Sequence, residues 1–196
     1  MKPSIGEPRK LTVSVVARRL TSELESLGFV LTKEGPSAAA RRMTSQRESL
    51  GLVLPKTRYL KLVKKINDQT EVFVHPGVQK RGADILVDPV IGVENTILRE
   101  RLLAMDQRWE GSTRVCHAHL GLKASWDHLY VRTEQELDGA ASQVVKAVVE
   151  IGLPMMSAYD TLDKARQLFR DDLDRTKPVR VAVLFAKEKL KLIEAH

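Results

Sequence analysis

A phrase of 17 residues occurs twice near the start of the chain. ARRLTSELESLGFVLTK at 17–33 returns as ARRMTSQRESLGLVLPK at 40–56, with identical residues at 12 of the 17 positions. Each copy contains a helix-like run that ends at Leu-Gly, where glycine commonly closes a helix, and then a short apolar run typical of a strand. The repeat therefore predicts two helix–turn–strand units, which the rest of the chain must cover with a sheet and further helices.

The two copies differ at the centre of the predicted apolar face. In the first copy Leu20, Leu24 and Leu27 recur at helical spacing, as in an amphipathic helix over about 10–27. In the second copy Arg47 stands at the position that corresponds to Leu24. We therefore expect the second helix, at about 37–50, to be the less buried of the two.

The middle of the chain, 57–132, carries the predicted strands. The alternation of apolar and polar residues predicts one β-hairpin at 57–75 and a second at 114–132. Between them lies a strand-like run at 83–93, which Pro89 restricts to the edge of a sheet or to a bulge.

Helices are predicted on both sides of this region. One begins at Asn95 or Thr96, and another at 134, because Thr133 and Glu136 have the spacing of a capping box. Further helical patterns cover about 159–174 and the segment after Pro178. The predicted fold class is α+β: a single domain, 1–196, whose mostly antiparallel sheet of two hairpins plus an edge strand is covered by N-terminal and C-terminal helices. Its regions are a loose lead-in at 1–9, the duplicated units, the sheet region at 57–132 and the helical region at 133–196.

The composition indicates the cellular compartment of the protein. The chain of 196 residues has one cysteine, Cys116, and no secretory signal pattern at its start. It also lacks an apolar run of the roughly 20 residues needed to span a bilayer. We therefore expect a cytoplasmic protein that forms no internal disulfide and does not enter a membrane.

Positive charge is concentrated in the first third of the chain. The net charge is +7, and residues 1–66 alone hold 14 Lys/Arg and 5 Asp/Glu. Both repeat copies contain paired arginines, Arg18, Arg19, Arg41 and Arg42. If the two helices present them to the same side, they form a patch suited to the phosphates of a nucleic acid or to an acidic protein. The alternative is two solvated helix faces.

Three histidines form the densest chemical pattern. His117 and His119 are two residues apart, so on a strand they point to one face while Cys116 points to the other. If the following hairpin turns near 123–124, His128 lies opposite His119 and Tyr130 lies opposite His117. Such a cluster predicts a site for zinc or another divalent metal, or a group for acid–base catalysis. The alternative is a polar sheet face used for binding.

Other catalytic patterns are weak or absent. Clustered acids such as Asp84, Asp88 and Glu94 can hold magnesium, but the sequence favours turn and edge-strand charges, since Asp88-Pro89 is typical of a turn. The sequence contains no phosphate-binding glycine loop, no GxSxG and no HExxH. No cofactor is therefore expected apart from the metal considered for the histidines.

The layout resembles small bacterial α+β proteins, some of which act beside toxins as immunity proteins. The resemblance rests on the helix end Leu27-Gly28-Phe29, the strand VDPVIGV at 87–93 and the helical last third. It implies a non-enzymatic module that binds another protein as an immunity protein, inhibitor or accessory subunit. The alternatives are a nucleic-acid-binding protein that uses the basic first third, and a metal-dependent hydrolase that uses the histidines.

Overall fold

The computed structural model describes residues 11–32, 60–105, 114–126, 129–174 and 191. It begins with helix α1 (Val13–Ser26), which is capped by the Thr12 side chain accepting from the backbone N–H of Val15. Gly28, with a φ of +85°, ends the turn that follows, as the sequence predicts. Strand β1 (Val30–Leu31) comes next. The second repeat copy, 40–56, lies outside the described residues.

One long, kinked hairpin organises all the strands. Its first arm consists of β3 (Thr70–His75) and β4 (Val78–Arg81), and its second arm of β5 (Asp84–Val87) and β6 (Val90–Asn95). The register is the same in both halves, because it runs from Thr70↔Asn95 through His75↔Val90 and Val78↔Val87 to Arg81↔Asp84.

Two prolines interrupt this hairpin at the same level. The shared register places Pro76 opposite Pro89. Proline has no backbone N–H to give to the ladder, so the pairing breaks there and the arms change direction. Each of the two sheets is therefore built on one half of a single hairpin.

Within the described residues, the larger sheet has five strands and is antiparallel throughout. Its order from edge to edge is β1, β2 (Leu62–Lys65), β3, β6 and β7 (Arg114–His119). The hairpin predicted at 57–75 is confirmed by the pairing of β2 with β3. The predicted edge position of the strand at 83–93 is wrong for β6, which lies between β3 and β7 and is buried on both faces at Ile91, Gly92 and Val93.

The smaller sheet has the order β4, β5 and β8 (Leu129–Val131). Both β7 and β8 pair with the second hairpin arm, β7 with its β6 half and β8 with its β5 half. The hairpin predicted at 114–132 is therefore wrong. In the second arm, two residues separate Val87 from Val90. Their partners, Leu129 and His119, are separated by nine residues. The first seven of these, 120–126, contain the short helix α3 (Leu120–Lys123). We call residues 120–126 the detour.

Helices cover one face of both sheets. Helix α4 (Glu134–Ala147) begins at the predicted capping box, in which Thr133 and Glu136 satisfy each other's backbone N–H groups. It continues through a π-helical turn (Val148–Gly152) into α5 (Leu153–Ser157), although Gly152 and Pro154 predict an end. Pro154 cannot donate to the carbonyl four residues earlier, and a π turn accommodates that loss. There Gly152 packs against Ile91 and Leu120, where a Cβ atom would lie 2.7 Å and 3.1 Å from their side chains.

The core combines α1 and α4 with the inward residues of both sheets. Its fully buried members include Leu20, Leu24, Leu62, Val74 and Ile91. Helix α2 (Thr96–Met105), capped by the Asn95 side chain, and helix α6 (Leu162–Asp174) complete the described chain. The α+β class with helices near both ends and an antiparallel sheet is thereby confirmed.

Candidate binding surface at the proline kink

The face of the hairpin that is turned away from the main core carries histidine, aspartate and tyrosine side chains. We call it the outer face. Side chains alternate along each arm, so every second residue belongs to it. The register carries the face across the kink to the flanking strands. The residues of this face that matter for the site include Phe73, His75, Leu86, Asp88, Gly92, His117, His119 and Tyr130.

Backbone contacts fix Asp88 at the kink. The backbone N–H of Asp88 donates to the carbonyl of Gly77 at 3.1 Å. Gly77 has a φ of +61°, and a Cβ atom at this residue would collide with the Asp88 carbonyl. Glycine at 77 therefore permits the close approach of the two arms that sets the direction of the Asp88 side chain.

His119 lies beside that carboxylate. It pairs with Val90 at the end of β7, and the next residue, Leu120, donates its N–H to the Pro89 carbonyl at 2.9 Å. The Nδ1 atom of His119 lies 3.2 Å from Oδ1 of Asp88. An ionised carboxylate only accepts hydrogen bonds, so Nδ1 carries the hydrogen in this contact. With the ring neutral, the lone pair is then on Nε2. Both side chains are partly exposed.

The structure brings His117 and His119 to one face, since they pair with Gly92 and Val90 on the same strand. The predicted pairing of His117 with Tyr130 is wrong, because Tyr130 pairs with Leu86 in the smaller sheet. His128 lies outside the described residues. Within the described part of the chain, no three His, Cys, Asp or Glu side chains stand close enough to hold a metal ion together.

Sequence reasoning missed His75. It lies on the outer face in β3, opposite Val90, which in turn lies opposite His119. Its Nδ1 atom is 2.9 Å from the Leu60 carbonyl oxygen, and its ring meets Phe73 edge-on with the centroids 5.1 Å apart. Alternation along β3 could have assigned His75 to a face. Its neighbours depend on the order of strands far apart in sequence, which alternation does not reveal.

The predicted arginine patch is described only in its first half. Arg18 and Arg19 are exposed on α1, while Arg41 and Arg42 lie outside the described residues. Arg19 contacts Glu23 at 3.0 Å and Asp138 of α4 at 3.3 Å. These acids offset part of its charge, and the four-arginine patch stays a prediction.

The acids considered for magnesium each have their own basic partner. The guanidinium of Arg132 donates two hydrogen bonds to Asp84, at 2.9 and 3.0 Å, and this lowers the pKa of that carboxyl below its usual value. Asp88 contacts His119. The acids therefore bond to separate basic partners and do not converge on a shared magnesium site.

The third acid, Glu94, is nearly buried in a charged group at the base of the outer face. Its Oε2 atom lies 2.8 Å from Nζ of Lys61 and 3.6 Å from Nη1 of Arg99. The Lys61 ammonium also lies 5.6 Å from the centroid of the Phe73 ring. Such a buried carboxylate needs both cations to offset its lost hydration.

Large apolar side chains are exposed in the part of the chain that follows His119. Leu122 in α3 is 79% exposed, although Leu120 in the same helix is fully buried. Tyr130 is 43% exposed on β8, and Arg132 follows it on the same face. We call the exposed side chains of Leu122, Tyr130 and Arg132 the detour surface, because they lie in or just after the detour.

Comparisons with protein-family models, with curated proteins and with solved structures find no match to this chain. Among the helices of the described residues, none has both the length and the apolarity needed to cross a membrane.

Proposed function

We propose that the protein is a non-enzymatic interaction module of the immunity, inhibitor or accessory-subunit type, and that it binds another protein through the detour surface. The observation that carries the proposal is the exposure of Leu122. A leucine that is 79% exposed in a helix of only four residues gains little for the fold from its apolar side chain. Burial against a partner would recover that hydrophobic free energy.

The neighbouring side chains have the chemistry of protein interfaces. Tyrosine and arginine are enriched among the residues that dominate binding energy, because they combine a large contact area with directed hydrogen bonds. Tyr130 in β8 and Arg132 directly after β8 provide both, and β8 is held in place by its pairing with β5 of the hairpin. A rigid support of this kind lowers the entropy lost on binding.

Charge indicates the kind of partner. The chain has a net charge of +7, and its excess of Lys/Arg lies in residues 1–66, whereas the guanidinium of Arg132 on the detour surface is 62% exposed but bonded to Asp84. Opposite charge accelerates association and disfavours wrong partners. An acidic protein is the partner that the net charge of the chain favours.

Pull-downs with the full chain as bait, run in parallel for matched variants, test the proposal. We expect a stoichiometric acidic protein to bind the wild type, and Leu122→Asp or Tyr130→Ala to weaken the purified complex at least about 10-fold, as loss of a central contact does. The control is Val30→Asp, since Val30 is 66% exposed on β1, at the opposite edge of the larger sheet from β7. Equal affinity of all three variants would contradict the proposal. So would recovery of only nucleic acid that high salt releases, which would instead favour the basic first third.

A further inference from the structure

We infer that His117 and His119 form a surface site for a divalent transition metal such as Zn²⁺ or Ni²⁺, in which Asp88 orients His119. The inference does not depend on the detour surface, and a protein partner is not needed for it. It rests on the placement of two imidazoles and one carboxylate at the kink.

The spacing of the two histidines suits chelation. They are two residues apart in β7, where both side chains point to the outer face. The strand rise places their Cα atoms about 6.8 Å apart. Imidazole nitrogens bind zinc at about 2.0–2.1 Å, so two rings extending from neighbouring positions of one face can reach a common ion between them.

Asp88 supplies the interaction that ligating histidines usually have. A histidine that binds a metal generally donates its other ring N–H to a carboxylate or carbonyl, which fixes the tautomer and makes the ligating nitrogen more basic. His119 has this arrangement, with Nδ1 at 3.2 Å from Oδ1 of Asp88 and the ring 47% exposed. Asp88 itself is held by its backbone bond to Gly77.

The backbone fixes the Cα positions of the three residues without the metal. β7 pairs with β6 at both His117 and His119, and the Leu120 N–H to Pro89 hydrogen bond fixes the end of β7 at the level of Asp88. Because the strand is already formed, only the side-chain rotamers have to be ordered when the ion binds. Imidazole favours zinc, nickel and copper over magnesium or calcium, which prefer oxygen ligands. Two protein ligands leave further positions of the ion for water.

Titration of the untagged full chain with zinc, followed by calorimetry, tests the site. We expect one ion per chain. His117→Gln or His119→Gln should lower the zinc affinity by more than 10-fold, and Asp88→Asn, which keeps a hydrogen-bond acceptor but removes the charge, by about 10-fold. His75→Asn is the matched control, because His75 lies on the same face but two strands away from His119. Circular dichroism of each variant separates loss of binding from loss of the fold.

Electron paramagnetic resonance of bound Cu²⁺ gives a second measurement, which counts the nitrogen ligands directly. The wild type should show two imidazole nitrogens, and either single glutamine variant should show one. Unchanged zinc affinity in the double variant His117→Gln/His119→Gln would overturn the inference. Equal losses in His75→Asn, or no zinc binding by the wild-type chain, would overturn it as well.

Discussion

Phe73 lies opposite Gly92 in the ladder between β3 and β6, and its ring fills the space in which any other residue at 92 would hold its Cβ atom. Phe73 is fully buried although it lies on the outer face, away from the main core. On the next strand, the carbonyl oxygen of Cys116 lies 2.7 Å from the same position. Packing on the outer face therefore depends on a glycine, Gly92, in the central strand β6.

Gly92→Ala should destabilise the protein by about 1–3 kcal/mol, because the methyl group displaces either the Phe73 ring or the backbone of β7. Urea unfolding measures the loss. Gly139→Ala is the control: Gly139 is exposed in α4 with no atom within 4 Å of its added Cβ, so alanine there should raise stability by about 0.5–1 kcal/mol. Equal stabilities of the two variants would contradict this account of Gly92.

Gly77 and Gly82 allow the cost of a backbone conformation to be separated from the cost of a collision. Both have a φ of +61°, but only at Gly77 would a Cβ atom meet another group, the Asp88 carbonyl. Gly82→Ala should cost about 1–2 kcal/mol, as for a left-handed residue. Gly77→Ala should lower the stability further, because the collision adds a cost similar to that of overpacking, about 1–3 kcal/mol, to the cost of the conformation. The comparison uses thermal or urea unfolding, and a smaller loss at 77 than at 82 would show that the arms do not approach closely there.

Glu94→Gln should lower the free energy of unfolding by about 3 kcal/mol, because it leaves Lys61 and Arg99 without the carboxylate that offsets their partial burial. Glu150→Gln is the matched control. Its carboxylate is 60% exposed and lies 3.9 Å from Lys146, so that loss should be below about 0.5 kcal/mol. Urea unfolding of both variants at neutral pH measures the difference. Similar losses would mean that burial contributes nothing to the Glu94 interaction.

The hydrogen bonds from Arg132 lower the pKa of Asp84 in the folded state. A lowered pKa in the folded state means that this contact stabilises the protein above the unfolded value, about 3.9 for aspartate, and that its contribution is lost as the pH falls through the folded value. Arg132→Gln should therefore raise the pKa of Asp84, which carbon NMR of the carboxyl group measures. A titration of Asp84 that is identical in the variant would refute the assignment.

The parts of the fold that local chemistry determines could be predicted from the sequence. The apolar spacing of α1 predicts the burial of Leu20 and Leu24, and Thr133 with Glu136 predicts the start of α4. Asn67-Asp68-Gln69 predicts the turn between β2 and β3. In each case the residues that decide the structure are within a few positions of one another.

The remaining features depend on contacts between distant residues. β4 ends in the exposed residues Lys80 and Arg81, so its sequence carries no alternation, and pairing with β5 determines its conformation. The helix passes through Gly152 because that residue packs on Ile91, a contact that local stop signals do not contain. The partners of His117 and His119 likewise follow from the order of β3, β6 and β7.

The detour gives the fold a place where its length can change at small cost. β7 and β8 are each held by their own pairing to the second hairpin arm, so residues added between them leave both registers intact. An insertion in either arm, by contrast, would turn every following side chain to the opposite face. A peptide epitope or a protease site inserted at Ser125, which is exposed, should therefore be tolerated while the hairpin beneath it stays the same.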